Sequence, residues 1–174
     1  MPKFTWLHLA VRILILSATF IPFAVALLIR RQSLMTIGLS RQNLFSSTLL
    51  GVLLGGINIL SYAIAFNKLN VIVGGLQLYH LYYFIYTLCI GFTEEAIFRG
   101  YLHLRFTAWL GASRGLVLTA LLFAIGHIGS TIPNVISTFI FGLITGWIMQ
   151  KSQNIVGLSI WHAFQDWVWV LYYA

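Results

Sequence analysis

Residues 91–100 read Gly91-Phe92-Thr93-Glu94-Glu95-Ala96-Ile97-Phe98-Arg99-Gly100, two adjacent carboxylates and an arginine inside a long apolar run. The chain of 174 residues holds only three acidic residues, Glu94, Glu95 and Asp166. Ionisable groups at membrane depth are costly and mark functional sites by default. Whether this run is a bilayer span therefore decides the fold and points to the site.

Composition favours the span. Hydrophobic residues make up 60% of the chain and charged residues 7%, against roughly 25% charged in an average soluble domain. Several apolar stretches reach the ~17–25 residues that a bilayer-spanning helix requires. The expected fold is an all-α, polytopic transmembrane helical bundle of about six spans, with the lipid bilayer as its surroundings. The formal charge of +7 is then no nucleic-acid footprint, since the basic residues lie mostly between apolar segments and encode topology. No nucleic-acid partner is expected, and nothing in the sequence sets an oligomeric state. A single cysteine, Cys89, excludes an intrachain disulfide and reads as a small buried hydrophobe.

Outward from the opening stretch, the third span covers roughly 78–99 and runs on to about Phe106, opening with Tyr79, Tyr82, Tyr83 and Tyr86. Before it come a first span at roughly 9–29, with Pro22 as a kink, and a second at roughly 47–66. A polar loop carrying Arg30, Arg31 and Arg41 joins those two. Gly51 and Gly55 form a GxxxG pair that permits close helix approach. Lys3 and Arg12 precede an Ala24-Val25-Ala26 run, as in a signal peptide, but the run ends in Arg30-Arg31 and suits a retained span better. Asn67 to Asn70 and Gly74-Gly75 break the chain ahead of span three.

A turn near Trp109-Leu110-Gly111 leads to span four (114–128), Gly129 to Pro133 to span five (134–150), and Lys151 to Asn154 to span six (155–173). Trp167, Trp169, Tyr172 and Tyr173 are expected to form an aromatic belt. The chain divides into an N-terminal two-span region, 1–76, and a helical core, 77–174, that holds all three acids. Basic residues in the odd-numbered connections place those loops in the cytoplasm and both termini outside.

Three motifs carry the chemistry. In Glu94-Glu95-x-x-x-Arg99, Glu95 and Arg99 share a helix face and can pair, while Glu94 points about 100° away. Phe123-x-x-x-His127 lies on span four and His162-x-x-x-Asp166 on span six, where a carboxylate can orient an imidazole. At ~1.5 Å per residue, Glu94 lies ~16 Å from Arg105, His127 ~20 Å from Arg114, and His162 and Asp166 ~16 and ~22 Å from Lys151. Four polar side chains on three helices thus share a level within about one turn, near the middle of a ~30 Å core. They are expected to converge. Glu95 and Arg99 read as support and Phe123 as packing that dries the cavity. His8, His80 and His103, near expected helix ends, read as helix-packing hydrogen bonders.

This ordered trio resembles the CPBP intramembrane protease family (CAAX proteases and bacteriocin-processing enzymes, also called the ABI family) over about residues 90–170. The family pattern is EExxxR, FxxxH, then HxxxN or HxxxD. The resemblance implies hydrolysis of a peptide bond in a membrane-associated protein or peptide, by an integral, multi-pass protein of a bacterial-type cell membrane. It implies Glu94 as general base, His127 as its partner in activating water, and His162 with Asp166 binding the oxyanion or holding the site together. The chemistry is consistent: a carboxylate out of water suits proton transfer near neutrality, and a donor at the oxyanion supplies the largest electrostatic contribution.

One departure is Asp166, where prenyl-protein members carry Asn. If ionised, Asp166 repels an oxyanion; it can instead orient His162 or be protonated. Glu94, His127, His162 and Asp166 also form a set that zinc accepts, although no H-E-x-x-H pair is present. No cofactor is the expectation and zinc the alternative. A proton-coupled transporter would use similar groups but usually has repeated halves, which are not found. A non-catalytic immunity or partner protein has no need of the full polar set.

Overall fold

The computed structural model describes residues 6–70 and 77–173. Seven α-helices and no strand occur among the described residues: α1 (Trp6–Ile29), α2 (Leu44–Ala65), α3 (Leu78–Glu95), α4 (Leu104–Leu110), α5 (Ala112–Ile125), α6 (Ile132–Ser152) and α7 (Val156–Tyr173). A π-helical segment, Ala96–His103, joins α3 to α4 without a break, so Leu78–Leu110 is one rod. The described residues form an all-α bundle of six rods, each on an expected segment.

Two of the rods, α2 and α6, are long and apolar enough to cross a bilayer alone, and α1 is a third if its two bent halves count as one span. The rod around Glu94 and the one around His162 carry the polar residues that dilute their hydropathy. Helix α5 has 14 residues, about 21 Å, short of a ~30 Å core. The bend in α1, 41° between Ala10–Ala18 and Phe20–Ile29, lies where Pro22 cannot donate to the Ala18 carbonyl and its ring crowds that turn.

Close backbone contact seats α2 on α7. A Cβ added to Gly51 would stand 2.1 Å from the Gly157 carbonyl oxygen, and one on Gly157 1.8 Å from that of Ser47. Gly55 receives the Phe164 ring in the same way, at 2.1 Å. The GxxxG pair thus packs against the last helix. Beneath it, Asn154 is fully buried. Its amide donates to the carbonyls of Ser40 and Gln42, both at 2.9 Å, and its Oδ1 accepts from Val156 N–H at 2.9 Å, capping α7.

The first loop proves more than a polar connection. A 3-10 turn, Leu34–Ile37, pushes Ile37 fully into the core beside Ala96, Met149 and Ile155. Buried Gly100 lets the π segment meet it, since a Cβ there would lie 2.5 Å from the Ile37 carbonyl oxygen. The aromatic belt is corrected in part. Trp167 is buried and its indole N–H donates to His80 O at 2.8 Å, while Trp169 is half exposed. A buried indole needs an acceptor, and the first turn of α3 supplies one. The side chains of Tyr172, Tyr173 and His8, and the Gly74-Gly75 break, lie outside the described residues.

The glycine contacts predict a graded mutational response. Gly51→Ala and Gly157→Ala should each destabilise the protein by about 1–3 kcal/mol, the range for overpacking. Gly56→Ala, which meets open space, should leave stability unchanged or raise it. Thermal unfolding in detergent reads both.

Candidate active site

The π segment begins immediately after the carboxylate pair. Such widened turns are rare and occur often at functional sites. Glu95 and Arg99 keep their i, i+4 pairing, with Nη1 to Oε1 at 3.1 Å and both side chains buried. The guanidinium also lies over the Phe123 ring, 4.0 Å from its centroid, and 5.8 Å from that of Phe141. The cation is thus held between a carboxylate and two aromatic faces.

Glu95 has a second task. Its Oε1 accepts a hydrogen bond from His162 Nδ1–H at 2.8 Å. The other ring nitrogen, Nε2, then faces the two remaining acids: 3.7 Å from Glu94 Oε2 and 3.8 Å from Asp166 Oδ2. All three acids of the chain surround one imidazole. Glu94 Oε2 is buried and accepts no hydrogen bond from any described group, so its lone pairs remain available.

His127 arrives differently from expected. Helix α5 stops at Ile125, and Gly126 and His127 lie in the turn that follows. The i, i+4 spacing is used nonetheless, because His127 Nδ1–H donates to the Phe123 carbonyl at 2.9 Å. That bond satisfies one of the carbonyls orphaned at a helix C-terminus and leaves Nε2 for other partners. The Phe123 ring meets both imidazoles, with centroids 4.9 Å from His127 and 5.9 Å from His162. Phe123 is fully buried, and its ring meets Arg99 as well as both histidines.

A cavity of about 230 Å³ opens beside these groups, walled by His127, His162, Asp166 and Phe123 together with α6. The α6 wall is Asn134, Ser137, Thr138 and Phe141, and α7 adds Gln165 and Trp169. Apart from Trp169, expected in an aromatic belt, none of these stands out in the sequence reading. The signal was present, since positions 134, 137, 138 and 141 fall on one helix face and three of them are polar within an apolar rod.

The other histidines divide. His80 sits at the start of α3, where its Nδ1 accepts from Gln77 N–H at 2.9 Å. His103 is not near a helix end, because the rod continues to Leu110. It is fully buried against α6, where a Cβ on Gly146 would stand 3.5 Å from its ring. Cys89 lines an apolar groove between α1, α3 and α7.

A family model described as type II CAAX prenyl endopeptidase Rce1-like matches residues 76–168, just over half of the chain. The chain belongs to the Rce1-like family. As an Rce1-like endopeptidase it is a membrane protease, and its substrate is a membrane-associated peptide. No curated protein and no solved structure matches it.

The zinc alternative can be tested against this Rce1-like site. Among the described residues no group of three or more His, Cys, Asp or Glu side chains is placed to hold a metal ion. Glu94 and Asp166 flank His162 Nε2 at 3.7 and 3.8 Å, and no step below is routed through a metal.

Removing one partner of a buried ion pair leaves the other uncompensated, at a cost of about 3–5 kcal/mol. Arg99→Met should therefore destabilise the protein by that amount. The double variant Glu95→Gln/Arg99→Met should lose clearly less than the sum of the single losses, since the pair is removed together. Unfolding free energies of the four proteins in detergent give the coupling.

Proposed function

We propose that this Rce1-like chain is a multi-pass intramembrane endopeptidase of a bacterial-type cell membrane, using Glu94 and His127 to activate water. The observation that carries the reading is His162, fixed through Nδ1 by Glu95 with Nε2 at 3.7 Å from the unpaired oxygen of Glu94. Glu94 takes a proton from water as the oxygen attacks the peptide carbonyl. His127 Nε2, freed by the Nδ1 bond to Phe123, holds the same water from the other side. Proton transfer by a positioned group contributes about 10²–10⁴-fold.

His162 Nε2 and Asp166 complete the site. His162 donates toward the carbonyl oxygen, and Asp166, 3.8 Å from Nε2, steadies the ring's charge as it does so. Glu95 and Arg99 support His162 from below and touch no substrate. This assignment needs no metal ion. The substrate class follows from the family alone: a peptide tethered to or embedded in the membrane.

Comparative analysis of membrane peptides from cells producing wild-type or Glu94→Gln protein tests the reading. Fragments present only with the wild type are expected, and identical peptides in both samples contradict it. Cleavage by purified protein should also survive chelation. Loss on chelation with recovery on adding zinc would replace the glutamate mechanism with a metal-dependent one.

A further inference from the structure

Asp166 leaves the cavity short of hydrogen-bond donors, because an ionised carboxylate only accepts. The neighbouring polar groups are partly spent. The Ser137 hydroxyl donates to Asn134 O at 2.9 Å, and Asn134 Nδ2 donates to Ser130 Oγ at 2.9 Å. His127 Nδ1 is engaged by the Phe123 carbonyl.

Gln165 is arranged the other way round. It lines the same cavity as His162 and Asp166, three residues beyond His162 and so on the same face of α7. Its carbonyl oxygen is already occupied, accepting from Asn58 Nδ2 at 2.7 Å. A planar amide with its oxygen turned to Asn58 turns its NH₂ away, and Nε2 has no hydrogen-bond partner among the described residues. Asn58 is itself held, because α2 is seated on α7 through Gly51, Gly55 and Gly157. A part-buried side-chain bond between two helices thus holds this amide with its donors turned away from Asn58, on a residue that lines the cavity.

We propose that Gln165 is a catalytic residue of this chain, its Nε2–H donating to the oxyanion, and that Asn58 is the positioning residue that aims it. The inference rests on the hydrolase reading above. In the step concerned, the water oxygen bonds to the carbonyl carbon, its proton passes to Glu94, and the carbonyl π pair becomes the oxyanion that Gln165 and His162 hold. When the intermediate collapses, the C–N bond breaks and the proton on Glu94 passes to the departing amine. Asn58 lies outside residues 76–168, so the second helix contributes to a site whose proposed catalytic residues lie within them.

The test uses the full chain in detergent micelles. The probes are two quenched fluorogenic peptides ending in Cys-aliphatic-aliphatic-X, one prenylated and one not. Gln165→Glu and Gln165→Met, each close in size but unable to donate as an amide, should lower kcat about 10²–10³-fold, as for loss of one oxyanion donor. KM should stay within about threefold, as expected when only a transition-state contact is lost. Asn58→Leu should lower kcat about tenfold, since it misaims the amide without removing it. Thermal unfolding of each variant checks that it folds.

If both Gln165 variants fold and keep kcat within about threefold, or if the loss falls on KM, the inference is overturned, while an inactive Glu94→Gln leaves the hydrolase reading standing. If Glu94→Gln cuts as fast as the wild type, or the wild type cuts neither peptide, the hydrolase reading fails and the inference with it.

Discussion

The structure depends on one buried carboxylate. Glu95 is fully buried and its Oε1 meets both Arg99 and His162, at 3.1 and 2.8 Å. A lone carboxylate at this depth would be strongly disfavoured, and so would a lone guanidinium. Together they are tolerable, and the aromatic faces of Phe123 and Phe141 absorb the rest of the cation. The arrangement sets the orientation of His162, since Nδ1–H faces Glu95 and turns Nε2 to Glu94 and Asp166. The nitrogen that His162 presents to Glu94 and Asp166 follows from that.

The same constraint separates two residues that are adjacent in sequence. A rotation of about 100° per residue sends Glu95 inward to the ion pair and Glu94 toward the far nitrogen of His162. One carboxylate supports the fold and the other remains free for chemistry. Around them, the helices that bring the parts together are held by close packing. Glycines at 51, 55 and 157 bring α2 against α7, which in turn holds the His162 wall of the cavity in register with α3.

Much of this was legible in the sequence because membranes simplify the reading. Apolar run length gave the helices, and scarcity of charge made the three acids conspicuous. The rise of a helix put Glu94, His127, His162 and Asp166 at one depth. What stayed hidden depends on tertiary contact. Helical spacing pairs Glu95 with Arg99 but not with His162, because a bond between residues 67 apart leaves no local pattern. His127 was placed inside a helix, and its position in the turn follows from Gly126 and the free Phe123 carbonyl. Ile37 reads as part of a polar loop, since the apolar residues Leu34, Met35, Ile37 and Leu39 between Arg31 and Arg41 form too short a run to show a period. Gln165 and Asn58 carry no signal in the sequence, since neutral amides are common and have no charge to mark them at membrane depth. The cavity wall on α6 was passed over for the same reason.

The central claim is that Glu95 holds one nitrogen of His162 while Glu94 faces the other. Nitrogen-15 NMR of ring-labelled histidine, in wild-type, Glu95→Gln and Glu94→Gln proteins reconstituted in lipid, tests it most directly. The account predicts a protonated, hydrogen-bonded Nδ1 for His162 whose signal moves on Glu95→Gln, and an Nε2 signal that responds to Glu94→Gln. A His162 Nδ1 signal that is unchanged by Glu95→Gln would contradict it.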